Sequence, residues 1–316
     1  MKLITHSMIK TAVTQRDAFD WVREAFIRKN NFALPPKTSI HYDAGVFFNT
    51  MPCVSEIEGI AGVKIVSRHP QRRPILSSKI IFSDPATGDD LALLEGDYIT
   101  VLRTGAVAAL AIETFAVNNY NRIGIWGLGN TAYATFDVLT ACKKNPDARL
   151  NVMLLRYKDQ AEKFIERFKH LNNVDFNIVD DIEEIVGDSQ VIISCVTEAN
   201  DIFCDADKFP RGVLVVPVHT KGFQNCDLVF DRIFADDTGH VSGFKHFATF
   251  SKKNFGEISD VLNGRIDGRT NERERILSYN IGIAIHDLHF AKKIYERLKD
   301  DCIDVDLESP MEKIFY

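Results

Sequence analysis

RIGIWGLGNTAYATFDVLTACKK, residues 122–144, decides the fold. RIGIW (122–126) reads as a short buried strand, and TAYATFDVLTACKK (131–144) as a helix. Between them runs Gly127-Leu128-Gly129-Asn130-Thr131-Ala132, a GxGxxA turn. Each small residue has a physical task. Gly127 permits a tight turn, Gly129 lets a pyrophosphate approach the backbone, and Ala132 lets the helix pack closely on the strand. The helix N-terminus then presents unpaired N–H groups to phosphates. Alone the motif is weak and an ordinary strand-to-helix turn satisfies it. At the head of a strand–helix–strand unit it points to a dinucleotide.

Downstream, strand and helix alternate: 150–156, 159–170, 174–179, 181–186, 190–196, 212–218 and 232–237. That order predicts a parallel sheet with helices on both faces. The second strand ends in Leu155-Arg156-Tyr157-Lys158, where an NAD site usually places an acid for the ribose 2′-hydroxyl. A guanidinium there suits a 2′-phosphate, and Lys158 adds charge, so NADP(H) is expected over NAD(H). The alternative is that Arg156 and Lys158 are solvated surface charges. Cys195, Val196 and Thr197, at the end of the strand 190–196, join the expected cofactor contacts.

Upstream, 14–31 has helical spacing of Ala18, Trp21, Val22, Ala25 and Phe26, and Pro35-Pro36 stops it. Residues 37–51, 60–67 and 75–84 read as strands, 85–90 as a turn before 91–96, and 98–117 as an Ala-rich helix. Lys64 falls inside an apolar strand, where an ammonium is costly unless paired or used. Arg103 is expected in the first turn of an apolar helix, a placement that suits a carboxylate. Residues 275–300 read as one long amphipathic helix.

Composition narrows the class. The chain has 316 residues, 45% hydrophobic and 26% charged, with a net charge of −6. Such a chain folds into one large or two ordinary domains, and no global basic field suggests nucleic acid. No apolar run is read as long enough for a membrane span, and no secretory leader is read at the N-terminus. The six cysteines form no CxxC and the nine histidines no HExxH, so no metal is expected, and the cytoplasm is the expected compartment.

Four segments resemble the ornithine cyclodeaminase / mu-crystallin family: 34–41 with 47–53, 62–70, 84–111 and 258–298. The resemblance implies an α/β chain in which a Rossmann-type domain (116–275) is inserted in an α+β substrate-binding and dimerisation domain (1–115 plus 276–316). It implies an active site between the two and a homodimer joined through the N-terminal sheet. It assigns Lys64 and Arg103 to the substrate carboxylate, with Lys64 also a candidate for proton transfer. It sets Lys37 where the family often has arginine, Met51 in the pocket wall and Gly282 near the nicotinamide. His286 and Asp287 are expected to be structural or interface residues. The cyclodeaminases carry an aspartate just after the strand matching 212–218; here His219 or Thr220 stands there, and Asp227 comes later. His219, with a pKa suited to neutrality, and Asp227 are therefore further candidates for proton handling. The expected activity is NAD(P)-dependent redox chemistry at the Cα–N bond of a small amino or imino acid, of dehydrogenase or imine-reductase type. True ornithine cyclodeamination, or a non-catalytic NADPH and small-ligand binding protein, are the alternatives.

Overall fold

The structure, a computed structural model, describes residues 1–197, 199–219 and 221–307. The chain divides into two compact units. One comprises Gln15–Asn30 and Val101–His286; the other comprises Met1–Thr14, Asn31–Thr100 and Asp287–Tyr316.

The first unit is built on an eight-stranded sheet in which every neighbouring pair is parallel. Across it run Val174–Val179, Leu150–Leu155, Arg122–Trp126, Val191–Ser194, Leu214–Pro217, Ile276–Tyr279, Arg232–Ala235 and Phe255–Glu257. From Arg122–Trp126 the chain first builds to one side and then returns to build on the other from Val191–Ser194. The strand order thus reverses between these two, and in such sheets ligands sit outside the carboxyl ends of the strands at that point. The central strands are buried along their whole length, as parallel strands covered on both faces must be.

Two expectations fail here for identifiable reasons. Residues 275–300 are not one helix: Ile276–Tyr279 is a strand inside the parallel sheet, and the helix begins later, at Ala284–Leu298. A four-residue, fully buried run cannot be told from a buried helical turn by periodicity. The domain limits also differ. Helix Gln15–Ile27 packs against Asn130–Cys142 and Ile258–Leu262, so it belongs with the parallel sheet. Residues 101–115 and 276–286 cluster there too.

Contrary to the expectation that no run is long enough, helix Asp97–Phe115 is, by length and composition, apolar enough to cross a membrane, with a mean hydropathy of 1.3. It is 72% buried over that window, as a core helix is, and its Phe115 stacks on Phe234 at 4.2 Å. The helix starts at Asp97, so Arg103 lies in its second turn rather than the first.

The second unit carries a seven-stranded sheet in the order Ile303–Asp304, Lys2–Ile4, Asp90–Glu95, Leu76–Ser83, Ile60–Arg68, Val46–Ser55, Thr38–Asp43. Lys2–Ile4 runs parallel to Asp90–Glu95, and the remaining pairings are antiparallel. The single strand expected over 37–51 is a hairpin, because Ala44-Gly45 turns the chain between Asp43 and Val46. The helical residues from Asp287 onward contribute to this unit. Tyr295 meets Phe82 at 5.6 Å between ring centres, and Lys292 Nζ donates to the Glu58 carbonyl at 2.6 Å.

Candidate active site

The glycine turn has the form its sequence implies. Gly127 sits at φ +77°, and a Cβ there would meet the Cys195 carbonyl carbon at 2.5 Å. Any other residue is excluded twice, by conformation and by space. The turn rests on the end of the neighbouring strand, where the Cys195 N–H donates to the Trp126 carbonyl at 2.9 Å. The fold thus brings Gly127, Cys195 and Val196 together at the point where strand order reverses. Gly129 faces open space, with nothing within 4 Å of where its Cβ would lie. The first helical bond runs from Tyr133 N–H to Gly129 O, so the amides of Asn130, Thr131 and Ala132 stand ahead of the helical ladder. This is a cradle that fits a pyrophosphate. Cys195 is a neutral neighbour, its thiol pushed up to about 12 by burial. Thr197 is exposed beyond it.

At the end of the second strand the charges are more engaged than expected. Arg156 Nε donates to Asp180 Oδ1 and its Nη1 to Glu162 Oε1, both at 2.8 Å. The two carboxylates hold the guanidinium pKa above its usual value. Lys158, at φ +54°, lies over the exposed ring of Tyr157, 5.2 Å from its centre. Asp159 pairs with Lys163 instead.

His219 follows strand Leu214–Pro217, and its Nε2 lies 2.7 Å from Ser194 Oγ. Phe203 and Phe223 pack on the imidazole. Burial pushes its pKa down to about 4, which corrects the expectation of a histidine titrating near neutrality. The ring is neutral at pH 7 and acts there as a hydrogen-bonding group, not as an imidazolium. Thr220, the other candidate for this position, lies outside the described residues. Asp227 is held elsewhere in the same unit. It is buried, its Oδ1 accepts from the Tyr279 hydroxyl at 2.7 Å, and desolvation raises its pKa to about 7. Two more polar atoms at these strand ends, Trp126 Nε1 and Asn280 Oδ1, are buried with no hydrogen-bond partner among the described residues. Ser194 carries no signal in the sequence, since only the sheet order sets it beside His219.

Gly282 has a φ of +87°, and its Cβ side is occupied. A Cβ on it would run into the guanidinium of Arg103, whose own exposure is 5%.

In the antiparallel unit, Lys64 is the central observation. It sits in strand Ile60–Arg68, paired across to Met51 on one side and Ile80 on the other. Its Nζ lies 2.7 Å from Asp287 Oδ2, with the side chains 1% and 0% exposed. The apolar strand therefore does contain a paired lysine. Asp287, expected as a structural or interface residue, supplies the counter-charge from the first turn of Ala284–Leu298, where the helix dipole favours a carboxylate. Cys53 is also within its field, its thiol pushed up to about 12 by burial first and by Asp287 second. Met51 is buried beside Lys64. Lys37 is half-buried just ahead of strand Thr38–Asp43.

A cavity of about 130 Å³ opens at the opposite, N-terminal end of the strands beginning at Arg122 and Leu150. Its polar groups are satisfied: Glu113 takes the Tyr120 hydroxyl and the Lys144 N–H, and Lys143 donates to two carbonyls.

The family model described as "Ornithine cyclodeaminase/mu-crystallin family" matches residues 1–301. The chain belongs to this family. Among curated relatives, a Δ1-pyrroline-2-carboxylate reductase of Bacillus cereus is 26% identical over 263 residues, 78% of this chain and 80% of that one. Among solved structures, the Δ1-pyrroline-2-carboxylate reductase of Thermococcus litoralis in complex with NADH and L-proline superposes with a TM-score of 0.86 at 23% identity. The match covers 96% of this chain and all of that one. An archaeal alanine dehydrogenase dimer with bound NAD gives 0.84 at 21% identity, over 97% and 99% of the two chains. These two likenesses establish the fold.

Proposed function

We propose that this family member is an NAD(P)-dependent oxidoreductase that works at the Cα–N bond of a small amino or imino acid, in the manner of an imine reductase or amino-acid dehydrogenase. The observation that carries the reading is the combination of an open, amide-lined glycine turn with a fully buried, carboxylate-paired lysine. The first suits a pyrophosphate, and the second is a costly group whose cation is held ready. The relatives named as pyrroline-carboxylate reductase and alanine dehydrogenase support the same substrate class, a carboxylate carrying an imine or amine at Cα.

In this reading Gly127, Leu128, Gly129, Asn130, Thr131 and Ala132 hold the pyrophosphate, with Cys195, Val196 and Thr197 along the adjoining strand end. The nicotinamide, when bound, gives or takes the hydride at the substrate Cα. Lys64 and Arg103, with Lys37, bind the substrate carboxylate. Met51 bounds the pocket beside Lys64. Neutral His219, steadied by Ser194, orients a polar group of the substrate or a water. Asp227 is the alternative proton carrier, since a carboxyl with a pKa of about 7 can hold or release a proton at neutral pH.

We further infer a preference for NADP(H), supported by Arg156 and Lys158 and by the lack of an acid at Leu155 or Arg156 themselves. A homodimer through the antiparallel sheet belongs to the same proposal. Its support is the outermost strand Thr38–Asp43, where Ile40 and Tyr42 are 56% and 60% exposed. The test is a fluorescence titration with NADPH and NADH followed by a screen of imino acids, and of keto acids with amines. Saturable nicotinamide binding with turnover of at least one such substrate is expected. Tight binding with no turnover across the panel would make the protein a ligand carrier instead.

A further inference from the structure

We infer that Gly282 is the seat of Arg103: the side chain it lacks is the space in which the guanidinium is held, so Gly282 is a positioning residue for substrate carboxylate binding. This rests on the reading of Arg103 given above and goes beyond it.

The geometry is specific. A Cβ built on Gly282 would lie 3.2 Å from both Cζ and Nη2 of Arg103 and closer still to Nη1. The φ of +87° is itself one that L side chains rarely adopt. The backbone of the turn is pinned on both sides. The Gly282 N–H donates to Asp236 Oδ2 at 2.5 Å, and the Asn280 N–H donates to the Pro217 carbonyl at 3.2 Å. Asp236 is fully buried at the end of strand Arg232–Ala235. Beside it Lys29 donates to the Asp236 carbonyl at 3.1 Å and pairs with Asp237 at 2.7 Å and Glu257 at 2.6 Å. The turn is therefore a rigid floor fixed by a buried charge network, and the flat guanidinium lies against it. A planar fork binds a carboxylate with two parallel bonds only when its plane is fixed. The resemblance sets Gly282 near the nicotinamide; the volume on its Cβ side is taken by Arg103.

The test is a double-mutant cycle on the full chain with wild type, Gly282→Ala, Arg103→Ala and the double variant. The readouts are the Kd for NADPH and the KM and kcat for Δ1-pyrroline-2-carboxylate. Arg103→Ala is expected to raise KM about 100-fold and Gly282→Ala about 30-fold, orders of magnitude set by losing or misplacing a buried charged anchor. The double variant should be no worse than Arg103→Ala within about twofold, and the NADPH Kd should stay within about threefold throughout. Multiplying penalties, or a cofactor Kd weakened tenfold or more by Gly282→Ala alone, would overturn the inference. If wild type turns over no imino acid, the proposed function fails, and the seat is read from melting temperatures instead. The loss caused by Gly282→Ala should then shrink by at least half when Arg103 is already Ala; an equal loss overturns it. If Gly282→Ala does not fold, Asp236→Asn, which keeps the glycine but loosens the turn, should raise KM and leave NADPH binding intact. The reverse pattern overturns the seat.

Discussion

Two cations in this molecule are ion-paired at nearly the same distance and differ in almost everything else. Lys64 meets Asp287 at 2.7 Å with both side chains sealed from solvent, whereas Arg156 meets Asp180 and Glu162 at 2.8 Å with all three exposed by 45% or more. An exposed pair is screened by water and loses side-chain entropy, so it contributes little. A buried pair has already lost its hydration, and removing one partner strands the other. The lesson is that proximity alone does not identify a functional charge. The pair that the sequence made conspicuous at the cofactor end is the weaker of the two. The pair with the larger consequence joins a strand to a helix far away in the chain.

The largest effect should come from breaking the buried pair. Asp287→Asn should destabilise the protein by about 3–5 kcal/mol in chemical denaturation, and Lys64→Met should do so comparably. The double change Lys64→Met with Asp287→Leu should recover most of that stability, because a well-packed apolar pair avoids the desolvation cost. All three should lower kcat/KM for the imino acid by at least about 1,000-fold. Full activity in a stable double variant would separate Lys64 from the chemistry.

Asp227 is a third case, a buried carboxyl with no ion pair among the described residues. Its pKa is raised from 3.8 to about 7, so its contribution to stability is fully present below about pH 4 and lost as pH rises through about 7. The swing is on the order of 4 kcal/mol. Asp227→Asn keeps an acceptor for the Tyr279 hydroxyl and removes that loss, so the variant should melt above wild type at pH 8 and not at pH 4. His219 has the opposite sign. Its pKa is lowered from 6.5 to about 4, so its contribution is present above 6.5 and lost as pH falls through 4. In Asp227→Asn, stability should therefore rise with pH from 4 to 6.5, the slope that Asp227 masks in wild type. Melting temperatures measured from pH 4 to 8 check both, and an unchanged falling slope in the variant would refute the assignment.

The smallest effect belongs to the exposed pair. Arg156→Ala should leave stability unchanged. It should shift the ratio of NADPH to NADH affinity by no more than about tenfold, since the guanidinium already shares its charge with two acids. A hundredfold loss of NADPH affinity would show that Arg156 releases its acids to grip a phosphate.

Local features were legible in the sequence and through-space ones were not. The glycine turn was readable because its strand, its small residues and its helix lie within 23 consecutive positions. Lys64 was conspicuous because an ammonium interrupts a strand of Ile60, Val63, Ile65 and Val66. Its partner was hidden because Asp287 lies in the last long helix, and its environment is set by packing. Burial of His219 depends on Phe203 and Phe223, so its depressed pKa left no trace in the pattern. The strand Ile276–Tyr279 reads as helix because it is buried along its whole length and too short to show a period. Gly282 was noticed as an interruption, but only the structure shows that Arg103 occupies the space it leaves.

Net redox chemistry at Cα–N is what separates a reductase or dehydrogenase from a cyclodeaminase. The most direct measurement follows absorbance at 340 nm and product formation together, first with NADPH and Δ1-pyrroline-2-carboxylate, then with ornithine and catalytic NAD(P). One NADPH should be consumed per proline formed, with no ammonia from ornithine. Ammonia release from ornithine with no net change in cofactor would contradict the proposed function.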